Sequence, residues 1–421
     1  MPLSVQAMLE LVLTTVPRCG ESEKVPTSQA LGRVLADRAV APVDLPAFPR
    51  SAVDGYALSV ADCQGATPEQ PVFLPLGAKV LAGQLPAPLG PGGATFVTTG
   101  AMLPPGADAV ILVERAQVQG NALAVSEPPR PGQHLSRPGE DIRRGRFLFP
   151  AGRRLGLPEI AILASLGYGE LEVIRRPRVA IFSTGDELVS PGAPLAPAQV
   201  HDTNSVILRA AVEAAGGVVT RWGILPDRYP ELAEIAAACA GGESDLVVTT
   251  GGTGASMLAL AGSPVDGLHD LVPGLLAGSG VILNQGVGVV PGKPTAFGRI
   301  GPTPVFALAG WPYAVLVTFH LFVAPCLARL GGLPLPAERR LGRFPLGEEV
   351  KGEAGFRRYV QVRLEDRGGE RFAVPILPPP PPSAARSISL LLEADGYIYL
   401  EAGETDRSAG EPVDVYVFPG G

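Results

Sequence analysis

The chain has 421 residues, 46% apolar and 18% charged, with a formal net charge of −7. That length predicts two to four domains, and the apolar content supplies real cores, which excludes a disordered chain. The acidic balance excludes a general nucleic-acid footprint, and no basic leader or uninterrupted apolar run of about 18 residues marks a membrane segment. The expected location is the cytoplasm.

Ser4 caps a first predicted helix, in which Val5, Met8, Leu9 and Val12 fall at helical spacing and which Pro17 closes. A second helical pattern runs from Ser28 to Asp37, and Ala41 to Pro49 reads as extended. From Ser51 to about Pro138, short apolar runs at 71–75, 79–82, 94–98 and 109–113 alternate with Gly/Pro turns, the pattern of a small β-rich domain. Asp141 to Ile174 carries a strand at Arg146–Phe149 and a helix opened by Pro158. This piece is expected to rejoin the N-terminal helices in one discontinuous domain.

Between Arg178 and Gly332 the chain alternates strands (Val179–Phe182, Val218–Leu225, Leu246–Thr249) with helices (Ser205–Ala215, Tyr229–Ala240), and a last long helix starts at Pro312. That alternation predicts a parallel sheet covered on both faces. After Pro334, short strands at 358–364, 372–374, 396–400 and 413–417 predict a small barrel or sandwich. The Pro378–Pro382 run reads as a stiff polyproline II spacer.

Ligands of an open parallel sheet bind beyond the carboxyl ends of its strands. Two candidate loops occupy such ends: Ser183-Thr184-Gly185-Asp186-Glu187 and Thr249-Thr250-Gly251-Gly252-Thr253-Gly254. The glycines allow positive φ and close approach of backbone N–H groups to an anion, while Asp186 and Glu187 are candidate ligands for a divalent cation. The competing reading makes Asp186 a helix cap and the glycines a tight turn. Lys293, one of only four lysines, is fixed within Pro291-Gly-Lys-Pro294 and suits a cation held against a phosphate. Asp54, in Ser51-Ala-Val-Asp-Gly-Tyr-Ala57, and Asp141, in Gly139-Glu-Asp141, are equally candidate acids and turn formers. Thr99 either donates to an oxyanion or closes a strand. The scattered Cys19, Cys63, Cys239 and Cys326 and the four histidines show no zinc or disulfide spacing.

In order along the chain, Leu45–Phe48 with Ser51–Ala57, Thr99-Gly100, Arg137–Asp141, Ser183–Glu187, Asp202–Asn204, Pro291–Gly298, Ala394–Gly396 and Ala409–Val413 resemble the molybdopterin molybdenumtransferase family. That family includes the C-terminal part of gephyrin. The resemblance implies an elongated discontinuous domain (1–49 with 137–175), a β-rich insertion (50–136), a three-layer α/β domain with a parallel-rich sheet (176–332) and a C-terminal β-barrel (333–421). It implies insertion of molybdenum from molybdate into adenylated molybdopterin, with Mg2+ assistance and release of AMP. Asp54, Thr99, Asp141, Glu187 and Lys293 match the family's catalytic positions; Ser183–Asp186 and Gly251–Gly254, at the two strand ends, are the expected substrate-binding residues. It further implies a homodimer with a shared active site, an upstream adenylyltransferase and molybdoenzyme maturation proteins as partners, and neither nucleic acid nor membrane. Departures cluster in the α/β domain: Gly251–Ser256 leads to Met257-Leu-Ala259, Val290 stands where lysine is common, and Trp311 and Ala314 replace the usual asparagine and serine. The barrel's serine-bearing loop is replaced near Ala384–Ser387. These replacements leave a non-catalytic pterin binder as an alternative reading, and the resemblance to gephyrin adds an oligomeric scaffold as a second.

Overall fold

A computed structural model describes residues 2–18, 20–253, 271–376, 388–404 and 406–418. The chain divides into two compact units, residues 1–23 with 174–421 and residues 24–173.

The first unit is built on a six-stranded sheet. Its spatial order is Val218–Leu225, Arg178–Thr184, Leu246–Thr250, Thr303–Leu308, Ala296–Ile300, Val281–Gln285. The first four strands are mutually parallel, and Ala296–Ile300 runs antiparallel to its neighbours on either side. Alternation along the strands separates two cores. Val179, Ile181, Leu246, Val248, Phe306 and Leu308 face one side with Leu208 and Val212 of helix Asn204–Ala214. Ala180, Phe182, Val247, Val305 and Ala307 face the other with Ile235, Ala238 and Cys239 of helix Tyr229–Ala240. Burial on both faces explains why these strands are continuous apolar runs rather than alternating ones.

The Pro312–Leu330 helix is long and apolar enough to cross a membrane by length and composition, yet 83% of its apolar window is buried inside the protein. It is a core helix, interrupted by a π turn at Phe319–Val323. Helix Val5–Thr15 packs Val5, Met8 and Val12 into the same core.

The C-terminal strands form a second six-stranded sheet: Val289–Val290, Arg357–Arg367, Gly396–Leu400, Pro412–Val417 and Arg339–Pro345 in order, with Glu370–Pro375 also on Arg357–Arg367. No closed barrel ladder forms among the described residues; one isolated bridge, Leu346 to Ala373, joins its extremes. The Pro378–Pro382 run and Ala384–Ser387 lie outside the described residues.

In the second unit, Gly55–Leu58 lies between Ala94–Val97 and Ala109–Leu112, and Ala122–Val125 between Val72–Pro75 and Gln117–Gln119. The run at 79–82 contributes only a bridge at Val80. The predicted Ser28–Asp37 helix does not form. After a 3-10 turn at Thr27–Gln29, Gly32, Leu35 and Ala36 donate their N–H groups to the carbonyls of Leu155, Arg153 and Glu172. Non-local backbone pairing there overrides a weak local helical preference.

Candidate functional site

Strands Arg178–Thr184 and Leu246–Thr250 are parallel neighbours, so their terminal loops share one sheet edge. The strand after the first in sequence, Val218–Leu225, lies on its opposite side. Connections diverge at this point, and the crevice so formed is where such sheets bind ligands.

On the acidic side, Ser183 is fully buried and its hydroxyl donates to Asp202 Oδ1 at 2.8 Å. The same oxygen accepts from Ser205 N at 3.1 Å, so Asp202 caps the Asn204–Ala214 helix and anchors the strand end together. Gly185 donates its N–H to Leu225, and the turn closes with Leu188 N donating to Gly185 O. The Glu187 carboxylate folds over Gly185, where an added methyl would lie 2.7 Å from Oε2. Asp186 Oδ1 accepts from the N–H of Asp227 at 3.2 Å. Burial pushes the Asp227 carboxyl above the usual range; the Thr184 hydroxyl opposes that rise, and the charges of Glu187 and Asp186 add to it.

The glycine side forms the adjoining floor. Gly251 has φ +91°, and a methyl group there would overlap the Thr184 carbonyl oxygen. Only glycine fits both conditions. Asn204 ties this floor to the next strand end, donating from Nδ2 to Thr250 Oγ1 at 3.0 Å and to the Gly310 carbonyl at 2.7 Å. Gly254 lies outside the described residues, as do Met257–Ala259.

Beyond the floor is a cavity of about 410 Å³, lined by Gly251, Gly252, Thr253, Lys293, Trp311 and Glu353 among others. Gly292, at φ +124°, reverses the chain so that the Lys293 carbonyl accepts from Val287 N. Lys293 Nζ then lies 2.5 Å from Glu353 Oε1 and 4.1 Å from the Phe356 ring centre. Trp311 is 47% exposed and also borders a neighbouring 190 Å³ cavity walled by Tyr313, Tyr359 and Ile376.

In the second unit, Asp54 and Thr99 meet. Asp54 Oδ1 accepts from Thr99 N at 2.6 Å and from Thr99 Oγ1 at 2.8 Å. These bonds, the backbone one first, hold the Asp54 carboxyl below its usual range. Asp141 is on a different turn, its N–H donating to the Leu45 carbonyl. The structure thus joins Asp54 to Thr99 by two hydrogen bonds. Asp141 instead borders a 660 Å³ cleft with Leu45, Arg146 and Phe147.

Three family models match the chain in order: MoeA N-terminal region (domain I and II) over residues 3–167, probable molybdopterin binding domain over 180–329, and MoeA C-terminal region (domain IV) over 343–418. A protein of Mycobacterium tuberculosis named molybdopterin molybdenumtransferase 2 is 33% identical over 93% of this chain and 94% of its own. The molybdopterin molybdenumtransferase of Haemophilus influenzae is 33% identical, covering 97% and 96%. The chain belongs to this family. A crystal structure of the molybdopterin biosynthesis MoeA protein of Pyrococcus horikoshii, 32% identical, superposes over all of both chains with a TM-score of 0.82.

Against the molybdenumtransferase pattern, sequence reasoning missed Asp227, Glu353 and Phe356. Asp227 follows the strand end Leu225 by two residues, so the same strand-end rule that selected Asp186 would have found it. Glu353 and Phe356 carry no local signature. They reach Lys293 because Val289 and Val290 pair with Arg357 and Arg358.

The strand-end acids suit a magnesium ion in one respect: burial first, and then the charges of Glu187 and Asp186, raise Asp227, and a cation there would offset both. Among the described residues no three His, Cys, Asp or Glu side chains form a ready metal cage. Magnesium is commonly held by one or two carboxylates plus substrate phosphate oxygens, so the absence of a full cage is compatible.

Proposed function

We propose that this chain inserts molybdenum from molybdate into adenylated molybdopterin and releases AMP, a step of molybdenum cofactor biosynthesis. The observation that carries this reading is the cavity in which the glycine-lined ends of two strands, at Gly251-Gly252 and Gly310, converge with the Lys293 turn, while Asp186, Glu187 and Asp227 cluster at the end of the neighbouring parallel strand.

In this reading the Gly252 N–H and the Lys293 ammonium receive the phosphate charge of the substrate, while the Gly251 N–H, donated to the Leu308 carbonyl, fixes the loop that presents them. Thr184 and Thr253 flank it. Glu187 and Asp186 are the acids for magnesium, which when bound offsets the charge of the cleaved anhydride. Asp54, its unshared carboxylate oxygen oriented by Thr99, and Asp141 act from the second unit on the reacting end. The active unit is a cytoplasmic homodimer in which one subunit's Asp54, Thr99 and Asp141 complete the α/β cavity of its mate. The C-terminal sheet serves as the barrel domain of a four-domain chain, and an upstream adenylyltransferase and downstream molybdoenzyme maturation proteins exchange ligands with it.

The test is direct. Purified protein with adenylated molybdopterin, molybdate and magnesium is assayed for AMP, with an active relative in parallel. Release above a blank supports the reading; none sinks it. A pterin binder without turnover is the second reading, favoured by Trp311 on the cavity rim and by the Glu353 carboxylate already on Lys293. Calorimetric binding of the adenylated pterin with no AMP release would select it.

A further inference from the structure

Lys293 is engaged before any ligand reaches it. Its Nζ lies 2.5 Å from Glu353 Oε1 and 4.1 Å from the centre of the Phe356 ring. Both partners sit on one short turn, closed by Phe356 N donating to the Glu353 carbonyl at 3.0 Å. That turn is pinned from outside. Gly352 N donates to Asp406 Oδ1 at 3.0 Å, Gly355 N to Ala402 O at 3.0 Å, and Arg357 N to Gly288 O at 2.9 Å. With the backbone so held, Glu353 leaves Lys293 by rotating its own side chain.

Glu353 lines the same cavity as Lys293, Gly251 and Gly252. An anion entering to reach the ammonium therefore meets a carboxylate in its place. Two anions on one ammonium leave one of them poorly compensated, which is costly where water is partly excluded. Phe356 differs in kind. Its ring attracts the ammonium through a quadrupole and carries no net charge, so it does not compete with an incoming anion.

We propose that Glu353 is a displaceable counter-ion that lowers the affinity of this cavity for anions, while Phe356 keeps Lys293 Nζ in position once Glu353 has swung away. The inference rests on reading Lys293 as the anion anchor and names the residue that regulates that anchor. Glu353 acts through Lys293, as a positioning residue.

The experiment is calorimetric titration of the full chain with inorganic pyrophosphate, in the wild type and in the Glu353→Gln, Glu353→Ala, Phe356→Leu and Lys293→Met variants. The side chains of Lys293 and Glu353 are 28% and 35% exposed, so solvent screens the pair and its effect falls at the low end for charge-assisted bonds. Both Glu353 variants are expected to bind pyrophosphate about 3–10-fold more tightly than wild type. Phe356→Leu should bind more weakly, and Lys293→Met should abolish both binding and the gain from Glu353→Gln. Damage to the fold does not tighten binding, so the gain separates the proposed role from a structural one. If the wild type binds, Lys293→Met does not, and neither Glu353 variant is tighter, the counter-ion role is overturned while the anion site stands. If neither wild type nor Glu353→Gln binds pyrophosphate, both readings fall.

Discussion

Gly251 and Gly192 share a φ of +91° but not their surroundings. A methyl added at Gly251 meets the Thr184 carbonyl within overlap distance, whereas nothing lies within 4 Å of one added at Gly192. Alanine at a left-handed φ costs about 1–2 kcal/mol at either position. Overlap in a packed site adds about 1–3 kcal/mol more, because Thr184 must shift with the strand end it terminates. Gly251→Ala should therefore destabilise the first unit by about 2–5 kcal/mol, and Gly192→Ala by about 1–2 kcal/mol. Urea unfolding followed by far-UV circular dichroism measures both, provided the transition of this unit is fitted separately. The same displacement moves the floor between the acid and glycine loops, so Gly251→Ala should also weaken pyrophosphate binding while Gly192→Ala leaves it unchanged. Equal costs for the two variants, within about 0.5 kcal/mol, would refute the close-approach argument.

Asn204→Ala removes the two donations that tie Thr250 to Gly310, and should cost about 1–3 kcal/mol with weaker ligand binding, read by the same denaturation and calorimetry. Thr99→Val removes one of two bonds to Asp54 and keeps the larger backbone one; carboxylate NMR titration should show the Asp54 pKa rising toward, but staying below, its ordinary value. Asp245 receives Arg175 Nη1 at 2.7 Å and Arg178 Nη2 at 3.2 Å. Burial alone would raise its pKa, but the bonds from these arginines and from the Arg178 N–H outweigh it and leave it lowered. A depressed carboxylate pKa stabilises the fold above the unfolded value, near 3.8, and that contribution fades as pH falls through the folded value. Asp245→Asn should thus cost about 2–4 kcal/mol at neutral pH, with the gap to wild type closing below about pH 4 in unfolding measured across pH.

What was legible in the sequence divides along a physical line. The parallel sheet was readable because Arg178–Thr184 and Leu246–Thr250 are buried on both faces, and burial on both faces leaves continuous apolar runs. Their terminal loops were readable because ligand chemistry at a parallel sheet has a fixed place relative to the strand. Ser28–Asp37 was misread because its backbone groups are satisfied from more than 100 residues away, by Leu155, Arg153 and Glu172, and no local propensity reports that. Glu353 was invisible for the same reason: its meeting with Lys293 depends on a two-residue parallel pairing between distant strands. Side chains that act where a strand ends can thus be found from the chain itself, while those brought to them by pairing between distant strands require coordinates. The site therefore has a readable half, which sets what kind of ligand enters, and a half contributed by tertiary pairing, which sets how tightly it is held.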